Sequence, residues 1–295
     1  MLKWWVKRQL GAFRRPFNSP DSDQPLRPQS AERICVVGGG LAGMLAATLL
    51  AERGFQVTLR EASGHLGGKL GAWEETLECG ETVEVEHGFH AFFRNYYNLN
   101  THLDRLNLRE GWKAIDRYQI LTLDGEDISI DDNETTPILN MLDLMRSGVF
   151  GLKDVLRAPT RDEMGVFLEY DRDLTFALFD DISFESFATR AELPPRLRLI
   201  FSTFSRAFFA PIEKMSLAEL IKSFHFYYLS QDSGLLYDYP ASDYRLSLLN
   251  PWRAYLESIG VDIQTSAPVR SVQVNAENLM IDSEPYQRLV MATDV

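Results

Sequence analysis

The stretch Ile34-Cys-Val-Val-Gly38-Gly-Gly-Leu-Ala-Gly43, followed by Glu61 eighteen residues later, decides how this chain folds. Ile34–Val37 is a short apolar run suited to a strand buried on both faces. Gly38-Gly39-Gly40 breaks it. Leu41–Arg53 reads as a helix of small and apolar residues, and Gly54 stands where such a helix stops. Gln56–Leu59 is a second strand, so the crossover predicts two parallel strands in a β-α-β unit. Gly38, Gly40 and Gly43 have the spacing of a dinucleotide-binding turn: the first for the turn, the second for backbone approach to a pyrophosphate, the third for close helix–strand packing. The helix start then offers N–H groups and partial positive charge to phosphate. Glu61, just past the second strand, is placed to accept hydrogen bonds from an adenosine ribose, and it would repel a 2′-phosphate. Ile34–Ala51 carries no charge over eighteen residues, enough by length for a membrane span, but its four glycines favour strand, turn and helix.

With 45% hydrophobic and 24% charged residues, the chain has the mix of a folded globular protein, not a disordered tail or coiled coil. Two cysteines, Cys35 and Cys79, make neither a disulfide framework nor a thiolate metal site, so a reducing compartment is expected. A net charge of −12 argues against nucleic acid as a partner. Residues 1–30 run the other way: six basic residues against Asp21 and Asp23 give +4, leaving −16 for the rest. This basic tail, with Trp4, Trp5, Phe13 and Phe17, suits an anionic bilayer surface or a disordered leader, and it lacks the apolar run of a secretory signal.

Beyond Gly71, Thr82–Val85 alternates like an edge strand, and Phe89, Phe92, Phe93, Tyr96 and Tyr97 follow. Residues 137–159 predict one or two amphipathic helices. Residues 160–230 read as mainly helical, with Phe201, Phe204, Phe208 and Phe209 as core or substrate-lining residues. From Ala241 the α/β pattern returns: a helix over Trp252–Ser258 stopped by Gly260, then strands at Val261–Ile263, Arg270–Val274 and Leu289–Ala292. His87 and His90 are three apart, but Gly88 intervenes and no further Cys or His cluster supports a metal. His225 reads as a packed core residue, and no strained serine elbow points to a hydrolase.

Val36–Gly43, Glu61-Ala62 and Gly67-Gly68-Lys69 resemble the N-terminal flavin signature of the amine oxidase and phytoene desaturase superfamily. Glu86-His-Gly88-Phe-His90-Ala-Phe92-Phe93, with Pro211–Leu217 and Asn250-Pro251-Trp252, is similar to the carotene desaturase branch, above all its aromatic-ring-forming desaturase/methyltransferase group of isorenieratene synthase type. The resemblance implies FAD as cofactor. Gly38, Gly39, Gly40, Leu41, Ala42 and Gly43 would contact the pyrophosphate, Glu61 and Ala62 the ribose end, and Gly67, Gly68 and Lys69 would lie along the cofactor. Val269 matches the valine whose backbone holds the adenine. Gly88 and His90 would sit near the flavin ring, His90 being the one candidate for a catalytic role.

The fold so implied is α/β. A Rossmann-like FAD-binding domain is built from residues 31–105 and 241–295, with a mostly helical substrate- and membrane-associating domain, 106–240, inserted between them after the 1–30 tail. The implied activity is desaturation of a carotenoid or similar polyene, with electrons passed to a quinone or oxygen, in a cytoplasmic, peripherally membrane-associated protein. A redox-neutral carotene isomerase and an amine oxidase are the rival enzymes. The family pattern continues beyond Leu289–Ala292, so a C-terminally truncated, even non-catalytic, flavoprotein is a further expectation.

Overall fold

The computed structural model describes residues 32–294 apart from 116, 123–124, 126, 132–134, 138, 147, 149, 157, 231–233, 235 and 275–278. The basic tail over 1–30 and its membrane reading therefore lie outside the described residues. Within them the chain forms two compact units, one of residues 93–95 and 114–237, the other of 32–92, 96–113 and 238–294.

The second of these is the dinucleotide-type unit. Strand β1 (Arg33–Val37), helix α1 (Leu41–Glu52) and strand β2 (Gln56–Arg60) form the β-α-β crossover that the sequence predicts. After helix α2 (Asn250–Ser258) come strands β3 (Asp262–Gln264) and β4 (Arg288–Met291). They complete a four-stranded sheet in the order β3-β2-β1-β4, every pair parallel. The uncharged run from Ile34 is thus strand, turn and helix, as its glycines require. Among the described residues no helix is long and apolar enough to cross a membrane.

Side chains of β1 alternate between two cores. Val36 packs with Met44, Ala47, Val57 and Leu59 beneath α1, while Cys35 and Val37 meet Ile281 and Tyr286 on the opposite face. Helix α2 closes the first core. Its Trp252, fully buried, donates its indole N–H to Thr48 Oγ1 of α1 at 2.9 Å, so the largest apolar side chain of this core leaves no polar atom stranded. Pro251 sits in the first turn of α2, where its missing N–H costs nothing.

The covering layer departs in one place from the sequence reading. The strand expected over Arg270–Val274 begins only at Val272. The Arg270 and Ser271 N–H groups are taken by the Asp282 carboxylate and are not available to a ladder. Val272–Val274, Leu279–Ile281 and Glu284–Tyr286 form an antiparallel three-stranded sheet. Ala72–Thr76 and Thr82–Glu86 pair as a separate two-stranded ribbon.

The other unit is mostly helical around a phenylalanine core. Phe167 stands edge-on to Phe187 and Phe224, at centroid distances of 5.7 and 5.4 Å, and 5.0 Å from Phe201. Its helices start on side-chain caps: Asp171 accepts the Leu174 N–H, Ser183 that of Ser186, and Ser216 those of Ala218 and Glu219. Each such cap contributes about 1 kcal/mol. The segment expected as one or two amphipathic helices is helical at Leu139–Arg146 and Leu152–Leu156, and a third helix, Ala158–Met164, starts before its end. Pro159 lies in the first turn of that third helix, where its missing N–H costs nothing. Phe201 is core, but Phe209 is 96% exposed.

The two cysteines occupy opposite environments. Cys35 has no exposed surface, and burial pushes its thiol up to about 11; Cys79 is exposed on the turn of the 72–86 ribbon. Because the thiolate is the reacting form, a disulfide reagent at pH 8 is expected to titrate one thiol in the native chain and both in denaturant. Rapid native modification of both would contradict this packing.

Candidate functional site

The site is a meeting of main chains. Gly38 has φ of +106°, and a Cβ there would run into the Ala292 carbonyl at the end of β4. Gly43, inside α1, faces the Gly38 carbonyl so closely that a Cβ would overlap its oxygen. These are the roles the sequence assigns to the first and third glycines. Gly40 differs. Its φ is −72°, which any residue adopts, and a Cβ there would meet nothing nearer than Gly68 Cα at 3.8 Å. Protein packing therefore does not explain why this position is glycine. It opens on a cavity of about 320 Å³ lined by Gly40, Leu41, Gly67, Lys69 and His90 among others.

Helix α1 begins at this cavity. Its N-cap is Gly40, which provides no side-chain cap, and no acidic residue lies in its first turn. The first N–H groups of a helix have no partner inside it. Here no side chain caps them, and the helix's own first turn brings no acidic residue, which is the electrostatic setting for phosphate.

Glu61 lies at the end of β2 and is turned toward the glycine turn. One carboxylate oxygen accepts the Gly39 N–H at 2.6 Å; the other accepts the Ser63 N–H at 2.7 Å and the Ser63 hydroxyl at 3.0 Å. These bonds fix the carboxylate's orientation and leave lone pairs for a further donor. Ser63 is a residue sequence reasoning missed, and only its proximity to Glu61 in the chain could have signalled it.

Gly67 and Gly68 also have a packing reason to be glycine. Gly67, with φ of +116°, donates its N–H to Gly39 O at 2.8 Å, and a Cβ there would lie 2.8 Å from both Gly71 Cα and Leu249 Cδ1. A Cβ on Gly68 would lie 3.1 Å from Gly40 Cα. The pair is small because one glycine-rich backbone packs on another, and the cavity wall is a consequence. Lys69 borders the cavity, but its ammonium lies 2.9 Å from Asp294 Oδ2 and its side chain is 73% exposed. Ala42, Ala62 and Gly88 are exposed. Gly88 is not brought to the cavity wall, whereas His90, two residues on, is.

His90 is held through its backbone. Its N–H donates to the Tyr244 hydroxyl at 2.9 Å, and that hydroxyl donates to the His90 carbonyl at 3.3 Å. The Tyr244 N–H in turn donates to Glu86 at 2.7 Å. Burial raises the pKa of the Tyr244 phenol, which keeps it a neutral two-way partner. His90 Nε2 is buried and has no hydrogen-bond partner among the described residues. Tyr244 was not singled out by the sequence pattern; Glu86 was, as the first residue of the motif that holds Gly88 and His90, but without a role of its own. His225, expected in a core, stacks at a tilt on Tyr170 in the helical unit, and burial lowers its pKa.

Residues 36–106 match the family model of an NAD(P)-binding Rossmann-like domain. The chain is 38% identical over 272 residues to the carotenoid phi-ring synthase of Streptomyces griseus, an alignment covering 90% of this chain and 52% of that one. It is also 38% identical over 78 residues to the zeta-carotene desaturase of Synechocystis, covering 26% of this chain and 15% of that one. A structure of a putrescine oxidase A394C mutant superposes with a TM-score of 0.60 at 19% identity, over 88% of this chain and 57% of that one. At that identity the likeness is one of fold. The chain spans about half the length of its Streptomyces relative. These relatives bear out the resemblance to the carotene desaturases that the motifs carry, on a Rossmann-like α/β fold.

Two glycine variants separate packing from binding. Gly43→Ala is expected to cost about 1–3 kcal/mol by overpacking, read by urea denaturation. Gly40→Ala is expected to unfold within about 0.5 kcal/mol of the parent while losing the ability to take up an adenine dinucleotide. A Gly40→Ala chain that binds FAD or ADP as the parent does would remove the phosphate-binding reading of this turn.

Proposed function

We propose that this chain carries the FAD-binding turn of a flavin oxidoreductase acting on a carotenoid. The observation that carries the proposal is Gly40, a glycine without a packing reason at the uncapped start of α1, facing a cavity. Chemistry and geometry fit the cofactor. The first turn of α1 would hold the pyrophosphate, Glu61 would accept from the ribose hydroxyls, and the Val269 peptide would meet the adenine edge. Leu41, Gly67 and Lys69 would line its path, and His90 would stand at the wall of the cavity. Bound there, the cofactor would supply a hydride acceptor at flavin N5 for an allylic or ring carbon, with a quinone or another acceptor completing the turnover. The chain's own part is to bind, orient and exclude water; no paired acid and base at the cavity is required for that.

The carotenoid as substrate rests on the phi-ring synthase and zeta-carotene desaturase relatives. Desaturation coupled to aromatisation of the ring is the finer form of the same proposal. Residues 139–156 of the helical unit expose Leu142, Leu152 and Leu156 at 43–59%, and together with the basic 1–30 segment they support peripheral attachment to a bilayer, where an apolar polyene resides.

Two measurements test this reading. The purified chain, incubated with FAD and desalted, is expected to retain bands near about 370 and about 450 nm, which carotene in detergent should bleach without oxygen. A colourless eluate refutes the flavin assignment; a flavin that carotene leaves oxidised refutes the substrate. Separately, the chain is expected to sediment with anionic liposomes at low salt and to be released in part near about 1 M salt, where screening acts within about 3 Å. Protein remaining in the supernatant at low salt refutes the attachment.

A further inference from the structure

Asp282 and Ser283 form the two-residue turn between Leu279–Ile281 and Glu284–Tyr286, with φ of 46° and 73°. The Asp282 carboxylate reaches back across the covering sheet. Its Oδ1 accepts the Arg270 N–H at 3.0 Å and the Ser271 N–H at 2.8 Å, and its Oδ2 lies 3.0 Å from the Arg60 guanidinium. The same Arg60 nitrogen is 3.4 Å from the Pro268 carbonyl, to which it donates. The two side chains are only 12% and 23% exposed, so this is a shielded pair and not a solvated surface contact.

The clasp grips both flanks of Val269 and leaves its centre open. Pro268 C=O and Arg270 N–H are bonded, while neither the N–H nor the C=O of Val269 has a partner among the described residues. A half-buried peptide is ordinarily paired, so one held open between two fixed neighbours is built for an external edge. Adenine presents an amino donor beside ring-nitrogen acceptors, complementary to one peptide C=O and N–H. Arg60 immediately precedes Glu61, and Ala267 N–H donates to Glu61 O at 2.8 Å. One ion pair thereby ties the spacing of the Val269 peptide to the carboxylate that faces the glycine turn.

We propose that Arg60 and Asp282 are positioning residues for the adenosine end of the dinucleotide, acting by holding the Val269 peptide at a fixed offset from Glu61. The inference rests on the dinucleotide reading above. Calorimetric titration of the full chain with ADP and with inorganic pyrophosphate tests it. Asp282→Asn and Arg60→Gln are expected to weaken ADP on the order of tenfold, as loss of preorganisation does, and to leave pyrophosphate unchanged; Arg60→Lys should lose less. Thr48→Val, which removes the buried bond to Trp252, should lower Tm and leave ADP affinity intact. Should Asp282→Asn fail to fold, Arg60→Gln decides, because it keeps both backbone bonds of Asp282. Undiminished ADP binding in the variants, or equal weakening of ADP and pyrophosphate, overturns the positioning role. A parent chain that binds neither ligand overturns the dinucleotide reading, and the clasp falls with it.

Discussion

Everything at the site depends on backbone approaching backbone. Gly38 against Ala292, Gly43 against Gly38, and Gly67 against Gly71 and Leu249 are contacts in which a Cβ finds no room, and Gly38, Gly67 and Gly68 hold a positive φ as well. Once these strands and turns are drawn together, the start of α1 is fixed at the rim of the sheet with its N–H groups facing outward. The cost of so many glycines is conformational entropy, offset here by the two cores that clamp β1 from both faces.

The same constraint separates what was legible in the sequence from what was not. The β-α-β unit could be read because each of its parts leaves a local mark: an apolar run, three spaced glycines, a helix of small residues, an acid at a set distance. Gly67-Gly68 left a mark too, but the mark did not tell that the pair packs on the neighbouring turn. Strand Val272–Val274 started late because a carboxylate twelve residues away in sequence competes for Arg270 N–H, and a local pattern holds no record of such competition. Tyr244, more than 150 residues from His90, belongs to the site only through the fold.

The relatives and the geometry bear on different parts of the argument. The fold likeness to an amine oxidase extends over most of the chain but at an identity that speaks for architecture alone. The phi-ring synthase match is closer in sequence and covers half of a longer protein. The dinucleotide reading stands on the chain's own glycines, carboxylate and free peptide; the carotenoid reading stands on kinship. A flavoprotein needs few titratable groups of its own, so the absence of an obvious acid–base pair among the cavity residues separates neither substrate from the other.

Charge adds a last constraint on how an anionic dinucleotide would be held. The chain is strongly acidic, so its overall field opposes a pyrophosphate rather than steering it in. The one cation at the cavity wall, Lys69, is paired with Asp294 among the described contacts, which reduces what it can offer. Attraction would therefore come at short range, from N–H dipoles at the start of α1, whose own first turn carries no acidic residue. Glu61, at the end of β2, has part of its charge taken up by hydrogen bonds from the Gly39 and Ser63 N–H groups. Short-range dipoles are screened far less by salt than a field of separated charges. A site built this way would recognise its ligand by shape and hydrogen-bond direction, leaving the net charge of the protein free to serve solubility.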